Sequence, residues 1–173
     1  MELIAPVVLA TAVALAVLGW RLPTRGQVLV AGALVLLLAT AATLALAELH
    51  QDDSDNVGLV LAGVLAVIGG GVVTSSVFGL VDGMAAEHDN AVRKAGEVLR
   101  GGAWIGALER LAVFVTVLAG WPEGLAVTLA LKGLGRYPEL RTETPGAAER
   151  FIIGTFTSVL WAVACAGAAI TMT

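Results

Sequence analysis

Charged side chains stand in or against stretches that are otherwise almost wholly apolar, and they gather in the C-terminal half of the chain. Glu109 and Arg110 lie in GGAWIGALERLAVFVTVLAG, Lys132, Arg136 and Glu139 in LALKGLGRYPEL, and Glu149 and Arg150 in AAERFIIGTFTSVLWA. A charge at the centre of a membrane helix costs about 2.5–3.5 kcal/mol on insertion scales. Such groups therefore face one another or a wet cavity. Two chemistries fit them: an ion-pair network that locks helices together, or a pocket for an anionic ligand. With four positive and three negative members the set is close to neutral, which favours the network. Acid–base work falls to Glu109 or Glu149, the only carboxylates placed for it.

The elements that carry these charges follow from composition. The chain has 173 residues, 58% hydrophobic and only 14% charged, with a mean hydropathy of +0.89. A soluble domain carries about 25% charged residues, so this chain has too little polar surface for a globule in water. Its apolar residues form long runs rather than amphipathic stripes, the pattern of helical membrane spans. The expected fold is all-α, a polytopic helical membrane protein of one domain. Its six expected spans are 3–20, 28–47, 57–81, 103–120, 125–136 and 151–172. The fifth is short, and WPEG at 121–124 reads as a tight turn, because Pro122 and Gly124 both break helices. The first run is preceded by Glu2 and followed by Arg21 and Arg25, the wrong polarity for a cleaved secretory signal, so it reads as a retained helix.

Orientation follows from the basic residues. Six spans put loops 21–27, 82–102 and 137–150 on one side and loops 48–56 and 121–124 on the other. All ten Lys and Arg lie in or near the first set, while Glu48, Asp52, Asp53, Asp55 and Glu123 mark the other. The positive-inside rule then makes the basic side cytoplasmic and leaves both termini outside. The expected location is a bacterial cytoplasmic membrane, since the Ala/Gly/Val/Leu vocabulary suggests a GC-rich genome. Within loop 82–102, residues 90–100 read as an amphipathic surface helix, with Val92, Ala95, Val98 and Leu99 on one side.

Small residues supply the packing signal. Gly70, Gly71, Ser75 and Gly79 in the third span, and Gly102 and Gly106 in the fourth, form stripes that let helices approach closely. The run Gly69–Gly71 would also permit a break lining a pore. Beside Gly106 on the Glu109 face lie Ala112 and Thr116, while Arg110, about 100° round the helix, is expected to snorkel to the cytoplasmic interface.

Several functions lack their signature. His50 and His88 are too few and too scattered for a histidine metal site. The acidic loop ELHQDDSDN lacks the glycine and terminal glutamate of a calcium loop. Cys165 has no disulfide partner. The net charge of −4 leaves no basic surface for a phosphate backbone, so nucleic acid is not an expected partner. No HExxH, histidine-rich diiron pattern or nucleophile elbow is present. Neither cofactor nor metal is expected, and the chain is not read as an enzyme.

Three ordered blocks resemble the C-terminal membrane half of a family of uncharacterised bacterial multi-pass membrane proteins. Gly102, Ile105, Gly106, Leu108, Glu109 and Arg110 match the first block, GxxIGxLER. Lys132, Arg136, Glu139 and Leu140 match the second, KxxxRxxEL, and Ala148, Glu149, Ile153, Gly154 and Thr155 match AExxxIGT. The resemblance covers about residues 101–170. The polar HxxxDF-type element of that family's first helix has no counterpart here. What the resemblance implies is that the charged layer belongs to a recurring module; it carries no activity across.

The expectation is a small transport, channel or ligand-binding membrane module that uses the charged layer of spans 4–6. The alternative is a non-catalytic subunit or scaffold whose ion pairs are structural. Its partners would be the lipid bilayer and a membrane partner protein or a second copy of the chain.

Overall fold

A computed structural model describes residues 4–47, 56–85, 102–141 and 146–172. Among these the chain is all-α, with six helices and no strand: α1 Ile4–Gly19, α2 Thr24–Ala47, α3 Asn56–Ala85, α4 Gly102–Leu118, α5 Pro122–Leu140 and α6 Ala147–Ile170. The surface helix expected over 90–100 and the acidic stretch 48–55 lie outside the described residues. Three segments are long and apolar enough to cross a membrane: Thr24–Leu46, Val57–Asp82 and Ala147–Ile170. Ile4–Gly19 is apolar but shorter.

Helices consecutive in the chain run antiparallel. Thr24 at the start of α2 packs on Gly79 near the end of α3, and Arg150 at the start of α6 reaches Asp82 at the end of α3. The ends of α1, α3 and α5 and the starts of α2, α4 and α6 therefore share one end of the bundle. The central element is α3, which packs on α1, α2, α4 and α6, whereas α5 lies at the edge, mainly against α4.

The interior is built from small residues at helical spacing. On α1 the buried set is Ala5, Leu9, Ala12, Ala16 and Gly19, and on α6 it includes Ala162, Cys165, Ala166 and Ala169. Large apolar side chains face outward instead: Leu29, Leu36, Trp104, Leu108, Leu134 and Phe156 are each more than 60% exposed.

Through its three glycines α3 stays a continuous helix. They serve as sockets for side chains from other helices. The Trp161 ring lies over Gly69, Arg110 over Gly70 and the Trp20 ring over Gly71. Because this face carries no Cβ atoms, main-chain carbonyls of α3 are reachable from outside the helix. Trp161 Nε1 donates to Leu65 O at 3.2 Å, Arg110 Nε to Val67 O at 3.0 Å and Trp20 Nε1 to Ile68 O at 3.3 Å. Gly63 receives Phe114, and Gly154 on α6 receives Phe78 in the same way. Within the expected stripe Gly70 and Gly71 seat long side chains of other helices, and Gly79 meets Thr24 of α2.

Two local readings are corrected. WPEG is not the turn: α4 closes through Gly120, at φ 60°, with Trp121 N–H donating to Thr116 O at 2.9 Å and Gly120 N–H to Val117 O at 3.1 Å. That is the Schellman pattern, in which left-handed backbone costs glycine nothing. Pro122 then starts α5 instead of breaking it, since the first turn needs no N–H donor there. As a result α5 has 19 residues, 122–140, rather than 125–136.

The glycine sockets generate a paired test. A Cβ on Gly70 would sit 2.8 Å from Arg110 Nε and 2.9 Å from Trp161 Cδ1, whereas one on Gly32 of α2 meets nothing within 4 Å. Overpacking costs about 1–3 kcal/mol, and Gly→Ala in an open helix gains about 0.5–1 kcal/mol. Chemical denaturation of the purified protein is expected to show Gly70→Val destabilised on that scale and Gly32→Ala equal to or above wild type.

Candidate functional site

At the end of the bundle where α3 stops and α4 begins, the helices enclose a cleft of about 360 Å³. Four basic side chains line it: Arg110 of α4, Lys132 and Arg136 of α5, and Arg150 of α6. Among the described residues the one lining carboxylate is Glu109. Hydroxyls of Thr74, Ser75, Thr155 and Ser158 add polar wall, and Trp20, Phe78, Ile105 and Phe151 supply apolar wall.

Each position has a local cause. Arg110 is buried, at 6% exposure; its stem occupies the space that the missing side chain of Gly70 leaves. Its Nε is fixed on Val67 O, and Nη1 lies 3.5 Å from Ser158 Oγ. The expected snorkelling to the interface is therefore wrong. The glycine face of α3 offers a carbonyl acceptor closer than water, and Val67 O with Ser158 Oγ takes up two of the five guanidinium hydrogens.

One residue earlier on α4, Glu109 points to α5, where Lys132 Nζ donates to Glu109 Oε2. Both side chains are largely withdrawn from solvent, so this ion pair ties the edge helix to the bundle. Arg136, one turn after Lys132, brings a further cation to the same wall.

Arg150 is held by a carboxylate that the sequence reading did not single out. Nη1 donates to Asp82 Oδ1 at 2.7 Å and Nη2 to Asp82 Oδ2 at 3.2 Å, a two-pronged bridge between α6 and α3. The guanidinium also stacks on Phe78, with Cζ 4.4 Å from the ring centroid. Phe78 and Asp82 are four residues apart, so one face of α3 offers ring and carboxylate together. That spacing, opposite Arg150 at the mouth of the last span, was the signal available in the sequence.

Of the charges grouped by the sequence, five meet at the cleft: Glu109, Arg110, Lys132, Arg136 and Arg150. Glu149 is exposed and stands outside the lining. The side chain of Glu139 lies outside what is described, although its backbone ends α5. Among the described residues the lining holds four cations and Glu109, with Asp82 bonded to Arg150 beside it; Glu149 is turned away while Arg150 turns in. Among the packing residues, Gly71, Ser75 and Gly106 also border the cleft, and Gly106 lies beside Arg110 Nη1.

Two further features bear on chemistry. Thr155 Oγ1 is buried with no hydrogen-bond partner, an arrangement that costs about 1–3 kcal/mol unless something in the cleft supplies one. Among the described residues, no group of three or more His, Cys, Asp and Glu is placed to hold a metal ion. No protein-family model, curated protein or solved structure matches the chain.

The Glu109–Lys132 pair predicts a measurable coupling. Residues in direct contact couple by about 0.5–3 kcal/mol, and removing one member of a buried pair strands the other. Glu109→Gln and Lys132→Met are each expected to destabilise the protein, and the double variant by less than the two combined. Additive losses in a denaturation cycle would show that the pair contributes no coupling.

Proposed function

We propose that the chain is a six-span helical protein of the bacterial cytoplasmic membrane, both termini outside, whose basic cleft binds an anion for uptake into or passage through the bundle. The observation that carries this reading is the cleft itself: about 360 Å³ of space with four cations and one carboxylate on its walls. The bridges Lys132–Glu109 and Arg150–Asp82 leave a space of that size between the helices. Preorganised cations around a partly desolvated space attract an anion far more strongly than the same groups in water.

Support for the membrane comes from the distribution of apolar groups. The interior is rich in alanine and glycine, while large apolar side chains cover the outside. Soluble monomers rarely expose contiguous apolar patches above a few hundred Å², and small residues are what pack helices in lipid. The described basic residues Arg21, Arg25, Arg136, Arg141 and Arg150 fall at or near the bundle end that bears the cleft, and Glu123 at the far end. With that end cytoplasmic, Glu109 lies seven residues inside α4, roughly 10 Å deep.

Two experiments test the reading. Cys165 is buried, so a cysteine placed at Glu123 is expected to react with an impermeant maleimide from outside intact cells, and one at Arg141 only after lysis. For the site, inorganic phosphate or sulfate is expected to raise the melting temperature of the detergent-purified protein. A ligand at 100 times its Kd stabilises by about 2.7 kcal/mol. Arg136→Gln is expected to remove that rise while lowering the anion-free melting temperature little, because Arg136 lies on the edge helix. Equal stabilisation of wild type and variant by both anions would place the effect elsewhere. Loss of fold in Arg136→Gln would favour the alternative, a non-catalytic subunit with structural charges.

A further inference from the structure

The walls of the cleft differ in kind, and that difference bears on which anion it takes. This inference rests on the anion-binding reading and narrows it. Arg110, Lys132, Arg136 and Arg150 bring charge to the lining, and Phe78, Ile105 and Phe151 bring aromatic and aliphatic surface. A site for a bare inorganic ion has no use for the apolar surface. Its volume is far above the ~30 Å³ that a water molecule takes in the liquid, and it falls within the ~300–1,000 Å³ range of sites for small organic ligands.

The basic groups favour a phosphate over a carboxylate. Three of the four cations are guanidinium groups, whose planar forks match the paired oxygens of oxyanions. Arg110 commits its Nε–H to Val67 O and one Nη1–H to Ser158 Oγ, so three of its five N–H donors remain for a ligand. Around the same space Thr155 brings its unpartnered hydroxyl, and a phosphate offers several acceptor oxygens to such donors. A phosphomonoester carries about −1.5 to −2 charges near pH 7, whereas a carboxylate carries one. The greater charge better offsets, among the described residues, four cations against two carboxylates, Glu109 and the Asp82 bonded to Arg150.

We propose that the cleft takes an organic phosphomonoester, its phosphate among the Arg and Lys groups and its apolar body against Phe78, Ile105 and Phe151. Such a compound can come from the bilayer, as a lipid with a terminal phosphate, or from the cytoplasm as a soluble ester. The chemistry recognised is the same.

The test is calorimetric titration of the detergent-purified full chain with four probes: inorganic phosphate, phenyl phosphate, benzoate and dihexanoyl phosphatidic acid. Phenyl phosphate is expected to bind at least about tenfold more tightly than inorganic phosphate and than benzoate. Phe151→Ala is expected to narrow the gap between the two phosphates, and Arg136→Gln to weaken both. Tighter binding of the phosphatidic acid than of phenyl phosphate would identify the lipid source, and the reverse order the soluble one; either supports the proposal. Equal affinity for phenyl phosphate and inorganic phosphate overturns it while leaving an anion site in place. Benzoate binding as tightly as phenyl phosphate also overturns it, since the phosphate would then confer nothing. Binding of none of the four overturns the anion site as well.

Discussion

The seating of Arg110 on the glycine face of α3 is the constraint on which the rest of the site depends. A guanidinium buried between three helices would be prohibitive without fixed acceptors. Gly70 removes the side chain that would occupy its place, and Val67 O and Ser158 Oγ accept its hydrogens. One residue thereby joins α3, α4 and α6. It also fixes the rotation of α4, which turns Glu109, the preceding residue, toward α5 and Lys132.

Around this seat the same device recurs. Trp20 and Trp161 place indole N–H groups on the α3 carbonyls of Ile68 and Leu65, each over a glycine. Hydroxyls within helices do otherwise: Thr74 and Ser76 return their hydrogen bonds to Gly70 O and Val72 O of their own helix. A core of alanine and glycine can hold large polar-tipped side chains because it leaves them room. The consequence is a bundle end where four cations line one cleft, with Lys132 bonded to Glu109 and Arg150 to Asp82. In the proposed membrane orientation that end is cytoplasmic, and the cleft is reached from the side where phosphorylated compounds are made.

Much of this was legible from residue types and spacing. The apolar runs located all six helices to within a few residues, and the charges of GALERL, LKGLGR and AAERF pointed to the helices that meet at the cleft. What the sequence could not supply was rotation. Arg110 and Glu109 are adjacent, and spacing sends Arg110 to the interface, whereas it is buried on α3; the outcome turns on an acceptor exposed by a glycine on another helix. For the same reason spacing does not separate Glu149 from Arg150, which are adjacent but diverge. Asp82 went unnoticed because its role depends on lying opposite Arg150. At WPEG the error was chemical: proline was read as a breaker where it opens a helix, and Gly120 supplied the turn.

The most direct test of the account is the state of the Arg110 side chain. Nitrogen-15 NMR of the arginine Nε–H groups in detergent-solubilised protein, assigned by Arg110→Lys, is expected to show one resonance with slow hydrogen exchange that belongs to Arg110. Arg21, Arg25 and Arg141 would exchange rapidly. An Arg110 Nε–H that exchanges as fast as those would contradict the seat on α3, and with it the arrangement of the cleft.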